Sequence, residues 1–159
     1  MALIVKKSRI PGAGKGLFTT KEIPKGKKII EYRGEIIRWK AYRQRVKEHK
    51  DGYLLFVHRN RCIDAYSTPQ YKARYANDAV GFRKNKMLKN NSSYIIYGVR
   101  CYIVSNRVIR AGEEILVSYG KDYWNCIRFN IKIGQAPQFK NVWTVTWLLA
   151  SVIRVLNTK

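Results

Sequence analysis

The sequence predicts a single, mostly β domain, and three observations support this. Short apolar runs rich in β-branched and aromatic residues recur between Gly, Pro and Asn, a pattern typical of small strands joined by turns. Only one long stretch, Arg38–Lys50, has an amphipathic helical spacing. Hydrophobic residues make up 46% of the 159 residues, enough apolar surface to fold despite 32 Lys and Arg against 10 Asp and Glu, a net charge of +22.

The first 37 residues are predicted to form short strands and tight turns. Apolar runs cover Leu3–Val5 and Leu17–Thr20, and a third run, KIIEYRGEII, ends at Ile37. The glycines of PGAGKG, Pro11–Gly16, are typical of a tight turn between two strands. A nucleotide phosphate loop is not predicted, because neither a GK[ST] sequence nor a long helix follows.

A helix is predicted over Arg38–Lys50, followed by a hairpin. The stretch contains neither Gly nor Pro, and Trp39, Tyr42 and Val46 recur at spacings of three and four residues. Beyond it, the run YLLFVHRNRCIDAY predicts two strands with a turn near His58–Asn60.

Strands are predicted again in the second half. Tyr94–Val104 is the run richest in β-branched and aromatic residues, and it predicts a central strand or hairpin. A turn at Ala111–Gly112 leads to a strand at Ile115–Ser118, and Lys121–Asn130 predicts a helical turn or two. The basic, Asn-rich window Arg83–Asn91 is expected to be an exposed loop.

The end of the chain carries an apolar segment, Asn141–Ile153, flanked by basic residues. Its thirteen residues fall short of the ~20 needed to cross a bilayer. We expect a packed helix, or a contact between two copies of the chain through Val142–Ile153. Attachment to a membrane surface is the less favoured alternative, because Trp143 and Trp147 lie one helical turn apart.

Composition limits the classes of function that this chain can have, through its charge, its cysteines and its histidines. A net charge of +22 attracts polyanions such as nucleic acid, anionic membranes or acidic proteins. Three cysteines without a CxxC pattern predict neither a zinc site, nor any other metal site, nor a disulfide scaffold. His49 and His58 lack acidic or nucleophilic partners nearby and are expected at the surface. Because the apolar part of MALIVKKSRI is too short for a secretory signal, we expect a soluble intracellular protein, cytoplasmic or associated with chromatin or a nucleoid.

Six motifs occur in an informative order along the chain. They are GKGLF (Gly14–Phe18), EYRGEII (Glu31–Ile37), YLLF (Tyr53–Phe56), CID (Cys62–Asp64), ARYAND (Ala73–Asp78) and GEEILVSYGKDYW (Gly112–Trp124). In this order they resemble the SET domain, the fold of S-adenosylmethionine-dependent protein lysine methyltransferases, in its compact viral and bacterial form. The resemblance predicts a SET domain over residues 1–126 and an apolar, basic tail over 127–159, in the position of a post-SET segment.

The resemblance implies a fold and a cofactor site. The family fold consists of small, mostly antiparallel sheets around a pseudoknot, in which the ARYAND and VSYG segments thread past one another. Asn77 would hydrogen-bond the cofactor amino group and Asp78 would contact adenine through its backbone, while Trp124 would either stack on adenine or plug the core. The positions that match cofactor-binding residues are Gly14, Lys15, Gly16, Arg74, Tyr75, Asn77, Asp78 and Trp124.

The resemblance also implies a catalytic channel where cofactor and substrate lysine meet. Methyl transfer is an in-line displacement, so the site must hold both reactants about 3 Å apart without water. Tyr119 and Tyr53 are the catalytic candidates, and both would line the channel. Tyr94 would line it as well, and its ring would limit the number of methyl groups added. The Tyr119 oxygen would orient the methyl group and the amine, and an apolar channel would favour the neutral amine that attacks.

Three departures from the family pattern stand out. Asn77-Asp78-Ala79 replaces the usual Asn-His-Ser, so a carboxylate without donor capacity stands where a side chain normally ties the pseudoknot. The zinc-binding cysteine segment that follows many SET domains is missing, which leaves Val142–Ile153 as the candidate to close the channel. A charge of +22 also repels basic targets such as histone tails, unless a bound nucleic acid holds both partners.

Two functions of different classes follow. The first is a protein lysine methyltransferase acting on a histone or another basic, nucleic-acid-associated protein, with automethylation as an option. The alternative is a non-catalytic basic adaptor that keeps the SET scaffold and binds nucleic acid or anionic membrane. A metal- or histidine-dependent hydrolase ranks third because no ligand cluster supports it.

Overall fold

The computed structural model describes residues 2–48, 50, 52–58, 60–80 and 87–132. Within these residues the fold is mostly β, built from short strands in small sheets, as the sequence predicts. The elements are β1 (Leu3–Lys7), β2 (Lys15–Thr19), β3 (Lys28–Tyr32), β4 (Glu35–Ile37), α1 (Trp39–Lys47), β5 (Leu54–His58), β6 (Arg61–Asp64), a 3₁₀ helix (Lys72–Tyr75), β7 (Ser92–Tyr97), β8 (Arg100–Ser105), β9 (Val117–Ser118) and α2 (Lys121–Lys132).

The described chain forms two units. The first contains the residues up to Arg33 together with Pro69–Ser118. The second contains Gly34–Thr68 and the described residues from Tyr119 onward.

The first unit begins with an antiparallel hairpin of β1 and β2, paired from Leu3 with Thr19 to Lys7 with Lys15. The predicted turn at PGAGKG joins these two strands. Leu17 and Phe18 of β2 are both fully buried although they are adjacent, because the strand is covered on both faces. An isolated antiparallel bridge from Phe18 to Glu114 holds this hairpin against the segment before β9.

The same unit contains a four-stranded sheet in the order β3-β8-β7-β9. The predicted hairpin at Tyr94–Val104 is confirmed as β7 and β8, with a turn at Gly98 and Val99. Cys101, Ile103 and Ser105 point to the buried side of β8, since alternate residues of a strand face opposite sides. The short strand β9 pairs in parallel with β7.

The second unit contains a three-stranded sheet in the order β4-β6-β5 with helix α1. The hairpin of β5 and β6 is confirmed. The aromatic residues that predicted α1 lie on its inner face: Tyr42 is buried with Ile37, Leu54 and Cys62, and Trp39 stacks on the Tyr42 ring at 4.6 Å.

Three segments differ from the sequence predictions. Helix α1 is shorter than Arg38–Lys50, and α2 has twelve residues where one or two turns were expected. The window Arg83–Asn91 was expected to be exposed; residues 83–86 lie outside the described part, and Met87 and Lys89 are exposed. Asn91, however, is buried, where it donates to Glu114 O and accepts from the Leu116 amide. Residues 133–159 lie outside the described part, and the prediction for Asn141–Ile153 lies there with them.

Candidate active site

The glycine loop between β1 and β2 is held by backbone contacts that suit only glycine. The Ser8 amide donates to Gly14 O at 2.7 Å, and Gly14 has a φ of 61°, in the left-handed region. A Cβ on Gly16 would overlap the Glu114 carboxylate. The backbone therefore approaches that carboxylate more closely than any other residue would allow.

Asn77 lies beside this loop. The Val117 amide donates to Asn77 O at 2.8 Å, so the ARYAND and VSYG segments run side by side as the resemblance implies. The Asn77 Nδ2 donates to Lys15 O at 3.0 Å and, at a longer 3.4 Å, to Glu114 Oε1. Among the described residues no hydrogen bond reaches Asn77 Oδ1, which leaves an acceptor for a ligand donor.

Glu114 is a buried carboxylate that joins the loop to Asn77. Its side chain is 3% exposed, and Oε1 accepts from Ser8 Oγ at 2.6 Å while Oε2 accepts from the Arg9 amide at 2.8 Å. Its role was not predicted from the sequence. The signal available was its position in GEEIL, since two adjacent glutamates stand out in a chain with only ten acidic residues.

Arg74 and Tyr75, on the 3₁₀ helix, lie near Lys15. The Lys15 ammonium is 5.9 Å from the centre of the Tyr75 ring, and the Arg74 guanidinium carbon is 5.6 Å from it. The Tyr75 hydroxyl donates to Pro69 O at 3.3 Å, which fixes the ring. The structure thus gathers six of the predicted cofactor positions in one place: Gly14, Lys15, Gly16, Arg74, Tyr75 and Asn77.

Asp78 uses its carboxylate in a different way. It is buried, and its Oδ1 accepts from the Val80 amide and from Asn90 Nδ2, both at 2.8 Å. In return, Asn90 Oδ1 accepts from the Ala79 amide at 2.8 Å. The Asn90 side chain therefore donates to Asp78 and accepts from the backbone of Ala79, which ties the end of ARYAND to the segment before β7.

In the second unit, Tyr119 belongs to an aromatic cluster at the start of α2. Its ring stacks on Trp124 with an interplanar angle of 12° and a centroid distance of 6.3 Å. Tyr123 meets both rings edge to face at 5.0 Å. Trp124 is only 5% exposed, and its ring packs against both Tyr119 and Tyr123.

The other two channel candidates lie in different units. Tyr53, just before β5, is half-buried 6.4 Å from the ring of Tyr66. Tyr94, on β7 of the first unit, is half-buried and meets Tyr32 edge to face at 5.8 Å. All three channel tyrosines thus lie in aromatic pairs or clusters, which restrict the motion of their rings.

The described residues contain no group of three or more His, Cys, Asp or Glu side chains arranged to hold a metal ion. His58 is exposed at the end of β5, as expected, whereas His49 lies outside the described part. Neither of the two described helices is long and apolar enough to span a membrane.

The chain is similar to several known proteins. It is 27% identical over 119 residues to N-lysine methyltransferase KMT5A-A of Danio rerio, covering 70% of this chain and 33% of the relative. It is 30% identical over 115 residues to histone-lysine N-methyltransferase set-1 of Caenorhabditis elegans, covering 67% of this chain and 46% of the relative. The chain therefore matches less than half the length of either protein.

A solved structure agrees with these relatives. A chain of a humanized mutant of the Chaetomium thermophilum Polycomb Repressive Complex 2, bound to the inhibitor GSK126, superposes with a TM-score of 0.60 at 27% identity. That match covers 75% of this chain and 15% of the other. The family model described as "SET domain" matches residues 14–120. Since this range covers more than half of the chain and includes the glycine loop, Asn77 and Tyr119, the chain belongs to the SET domain family.

Proposed function

We propose that this chain is an S-adenosylmethionine-dependent protein lysine N-methyltransferase. The observation that carries the proposal is the group formed by the Gly14–Gly16 loop, Asn77 and Glu114 in a chain of the SET domain family. The relatives named above are lysine methyltransferases, which supports the same activity here.

The donors and acceptors of this group fit the methionine part of S-adenosylmethionine. Its ammonium needs an acceptor, which Asn77 Oδ1 can supply because both amide hydrogens of that side chain point to Lys15 O and Glu114. Its carboxylate needs cations and backbone donors, and we assign this role to Lys15 and Arg74, which both lie beside the Tyr75 ring. Gly16, Tyr75, the Asp78 backbone and Trp124 complete the set that we assign to the cofactor.

We assign the chemistry of transfer to the tyrosines. When bound, S-adenosylmethionine supplies a methyl group activated by a sulfonium. Tyr119, oriented by Trp124 and Tyr123, would accept hydrogen bonds that align the target amine, and Tyr53 would form a second wall that excludes water. An apolar wall disfavours the charged form of the target lysine, whose ordinary pKa is ~10.4, and so favours the neutral amine. Tyr94 would limit the number of methyl groups added.

We further infer that the substrate is a histone or another basic, nucleic-acid-associated protein, met at chromatin or a nucleoid. The Caenorhabditis elegans relative set-1 is named as a histone-lysine N-methyltransferase, which supports this substrate class. The net charge of +22 opposes direct encounter with a basic target. A nucleic acid bound by both proteins would overcome this repulsion by raising their local concentration.

The test is transfer of labelled methyl from S-adenosylmethionine to mixed histones and to a cell extract. We expect label with the wild type and with the control Tyr71→Phe, an exposed tyrosine outside the site. We expect Tyr119→Phe to lose at least nine-tenths of turnover while binding the cofactor normally in calorimetry. Unchanged turnover of Tyr119→Phe would refute its catalytic assignment.

The second candidate function is a non-catalytic adaptor that binds nucleic acid or anionic membrane. It is favoured by the charge and by Asp78, which occupies the usual histidine position and pairs with Asn90. No methyl transfer together with no cofactor binding by the wild type would support it. Its binding would also fall steeply with salt, whereas cofactor binding would change little.

A further inference from the structure

The outer face of the four-stranded sheet combines aromatic rings with cations. Alternation along the strands places the outward residues opposite one another: Ile95 pairs with Tyr102, Tyr97 with Arg100, and Tyr102 with Glu31 of β3. Tyr97 is 47% exposed and Ile95 is 38% exposed. We call this surface the tyrosine face; it consists of Lys28, Glu31, Ile95, Tyr97, Arg100 and Tyr102, together with Arg33, which binds Glu31.

Its rings and cations are arranged together. The Tyr97 and Tyr102 rings meet edge to face at 6.0 Å. The Lys28 ammonium lies 3.9 Å from the centre of the Tyr97 ring and 5.1 Å from that of Tyr102. A hydrogen bond with Tyr102 raises the pKa of Arg100, and the charge of Glu31 adds to the effect. Because these side chains already hold one another, less conformational entropy is lost when a ligand binds.

The tyrosine face is positively charged. Glu31 is its single acidic residue among those that the structure describes, and its carboxylate is bound by Arg33 at 2.7 Å with Arg100 3.8 Å away. Lys28, Arg33 and Arg100 therefore outnumber the one carboxylate, whose charge is already compensated. The remaining cationic surface is complementary to a polyanion.

We propose that the tyrosine face binds single-stranded nucleic acid. Lys28, Arg33 and Arg100 would contact phosphates, and unpaired bases would stack on Tyr97 and Tyr102. A single strand is favoured over a duplex, since only unpaired bases can lie flat on aromatic rings. An acidic peptide would use the cations but has no flat groups for the two rings. This site does not depend on methyltransferase activity or on cofactor binding.

The test measures binding of the full chain to a fluorescent twelve-nucleotide oligothymidylate by anisotropy at several salt concentrations. Tyr97→Ala combined with Tyr102→Ala removes both rings without a change in charge. We expect a loss of affinity of at least tenfold, since stacking contributes about 1–3 kcal/mol per base. Tyr71→Ala, which removes an exposed tyrosine outside the face, should change affinity less than twofold.

A second pair of variants removes one charge each. Lys28→Gln and Lys25→Gln both replace an exposed lysine, but only Lys28 lies on the tyrosine face. Lys28→Gln should weaken binding at least threefold. It should also reduce the slope of log affinity against log salt concentration by about one, whereas Lys25→Gln should leave affinity and slope nearly unchanged. If circular dichroism shows that the double tyrosine variant does not fold, these two lysine variants test whether the tyrosine face binds the oligonucleotide.

Several results would overturn the proposal. Absence of binding, tighter binding to a duplex of the same length, or equal effects of the Lys28 and Lys25 variants would each do so. A dimer in sedimentation that Tyr97→Ala dissociates would assign the face to a second copy of the chain instead.

Discussion

Glu114 is a buried carboxylate that joins the glycine loop to Asn77, the residue that we assign to the cofactor. Its two carboxylate oxygens accept from Ser8 Oγ, the Arg9 amide and Asn77 Nδ2. An amide at this position would offer one acceptor and turn an NH₂ group toward these donors. We therefore expect Glu114→Gln to weaken binding of S-adenosylmethionine at least fivefold in calorimetry.

The neighbouring Glu113→Gln is the matched control for that prediction. Glu113 binds the exposed Arg107 at 2.8 Å and has no contact with Asn77 or with the glycine loop among the described residues. It should leave cofactor affinity within twofold of the wild type. Equal affinities of the two variants, with the wild type binding normally, would contradict the role given to Glu114.

Asp78 gives a second prediction at this scale. Family resemblance alone suggests that Asp78→His would improve the protein, but the hydrogen bond that Asp78 accepts from Asn90 predicts the opposite. A histidine would not match the two donors that Oδ1 now accepts from, and it is larger than the buried site. We expect Asp78→His to lower the free energy of unfolding by about 2–3 kcal/mol in urea.

Asp78→Asn is the conservative variant, because it keeps Oδ1 as an acceptor for the Val80 amide and Asn90. Its loss should be about 1 kcal/mol, below that of Asp78→His. A histidine variant as stable as the wild type would show that the pair with Asn90 contributes little.

At the scale of elements, Arg45 connects α1 to two strands of its sheet. Its Nε donates to Asp64 Oδ2 at 2.8 Å and its Nη2 donates to Glu35 Oε2 at 3.1 Å. The hydrogen bond with Asp64 is the main cause that raises the pKa of Arg45. Because Asp64 is 3% exposed, Arg45→Ala would leave a buried carboxylate with only the Tyr66 amide among its described donors.

We expect Arg45→Ala to reduce the free energy of unfolding by about 2 kcal/mol in urea. Arg43→Ala, on the exposed side of the same helix, should change it by less than about 0.5 kcal/mol. Similar losses for both variants would mean that helix propensity, and not the pair with Asp64, determines the effect.

The elements also show how far local patterns predict structure. The hairpins β5-β6 and β7-β8 were predicted because strand propensity and turn residues act over a few neighbouring positions. In the window Arg83–Asn91, predicted as an exposed loop, Met87 and Lys89 are exposed, but the prediction was wrong for Asn91. Its side chain is buried by hydrogen bonds to Glu114 and Leu116, residues far along the chain that no local pattern reveals.

At the scale of the whole molecule, the described side chains include one buried free thiol in each unit. Burial raises the pKa of Cys62 and of Cys101 to about 11, from an ordinary 9.0. Below pH 9 both thiols are protonated in the folded and in the unfolded state, so they do not lower the free energy of unfolding. Between pH 9 and pH 11 the unfolded chain loses these protons first, and the free energy of unfolding falls.

We expect this loss to reach roughly 2 kcal/mol for each thiol at pH 11. The measurement compares urea unfolding at pH 8 and pH 11 for the wild type and for Cys62→Ala with Cys101→Ala. Lysine and tyrosine titrations are common to both proteins, so the difference between them reports the thiols. The same decrease in both proteins would contradict the prediction.

The fold class, the family and the positions of the motifs are all predictable from the amino-acid sequence, since strand patterns and motif order are local properties. The sequence also indicates a partner of opposite charge, because net charge is a sum over residues. The folded structure was needed to find that Glu114 accepts a hydrogen bond from Asn77, that Asp78 accepts one from Asn90, and that Lys28 lies over Tyr97. These contacts join residues up to 69 positions apart, and hydrogen bonds and ring contacts depend on distances that only the folded chain sets.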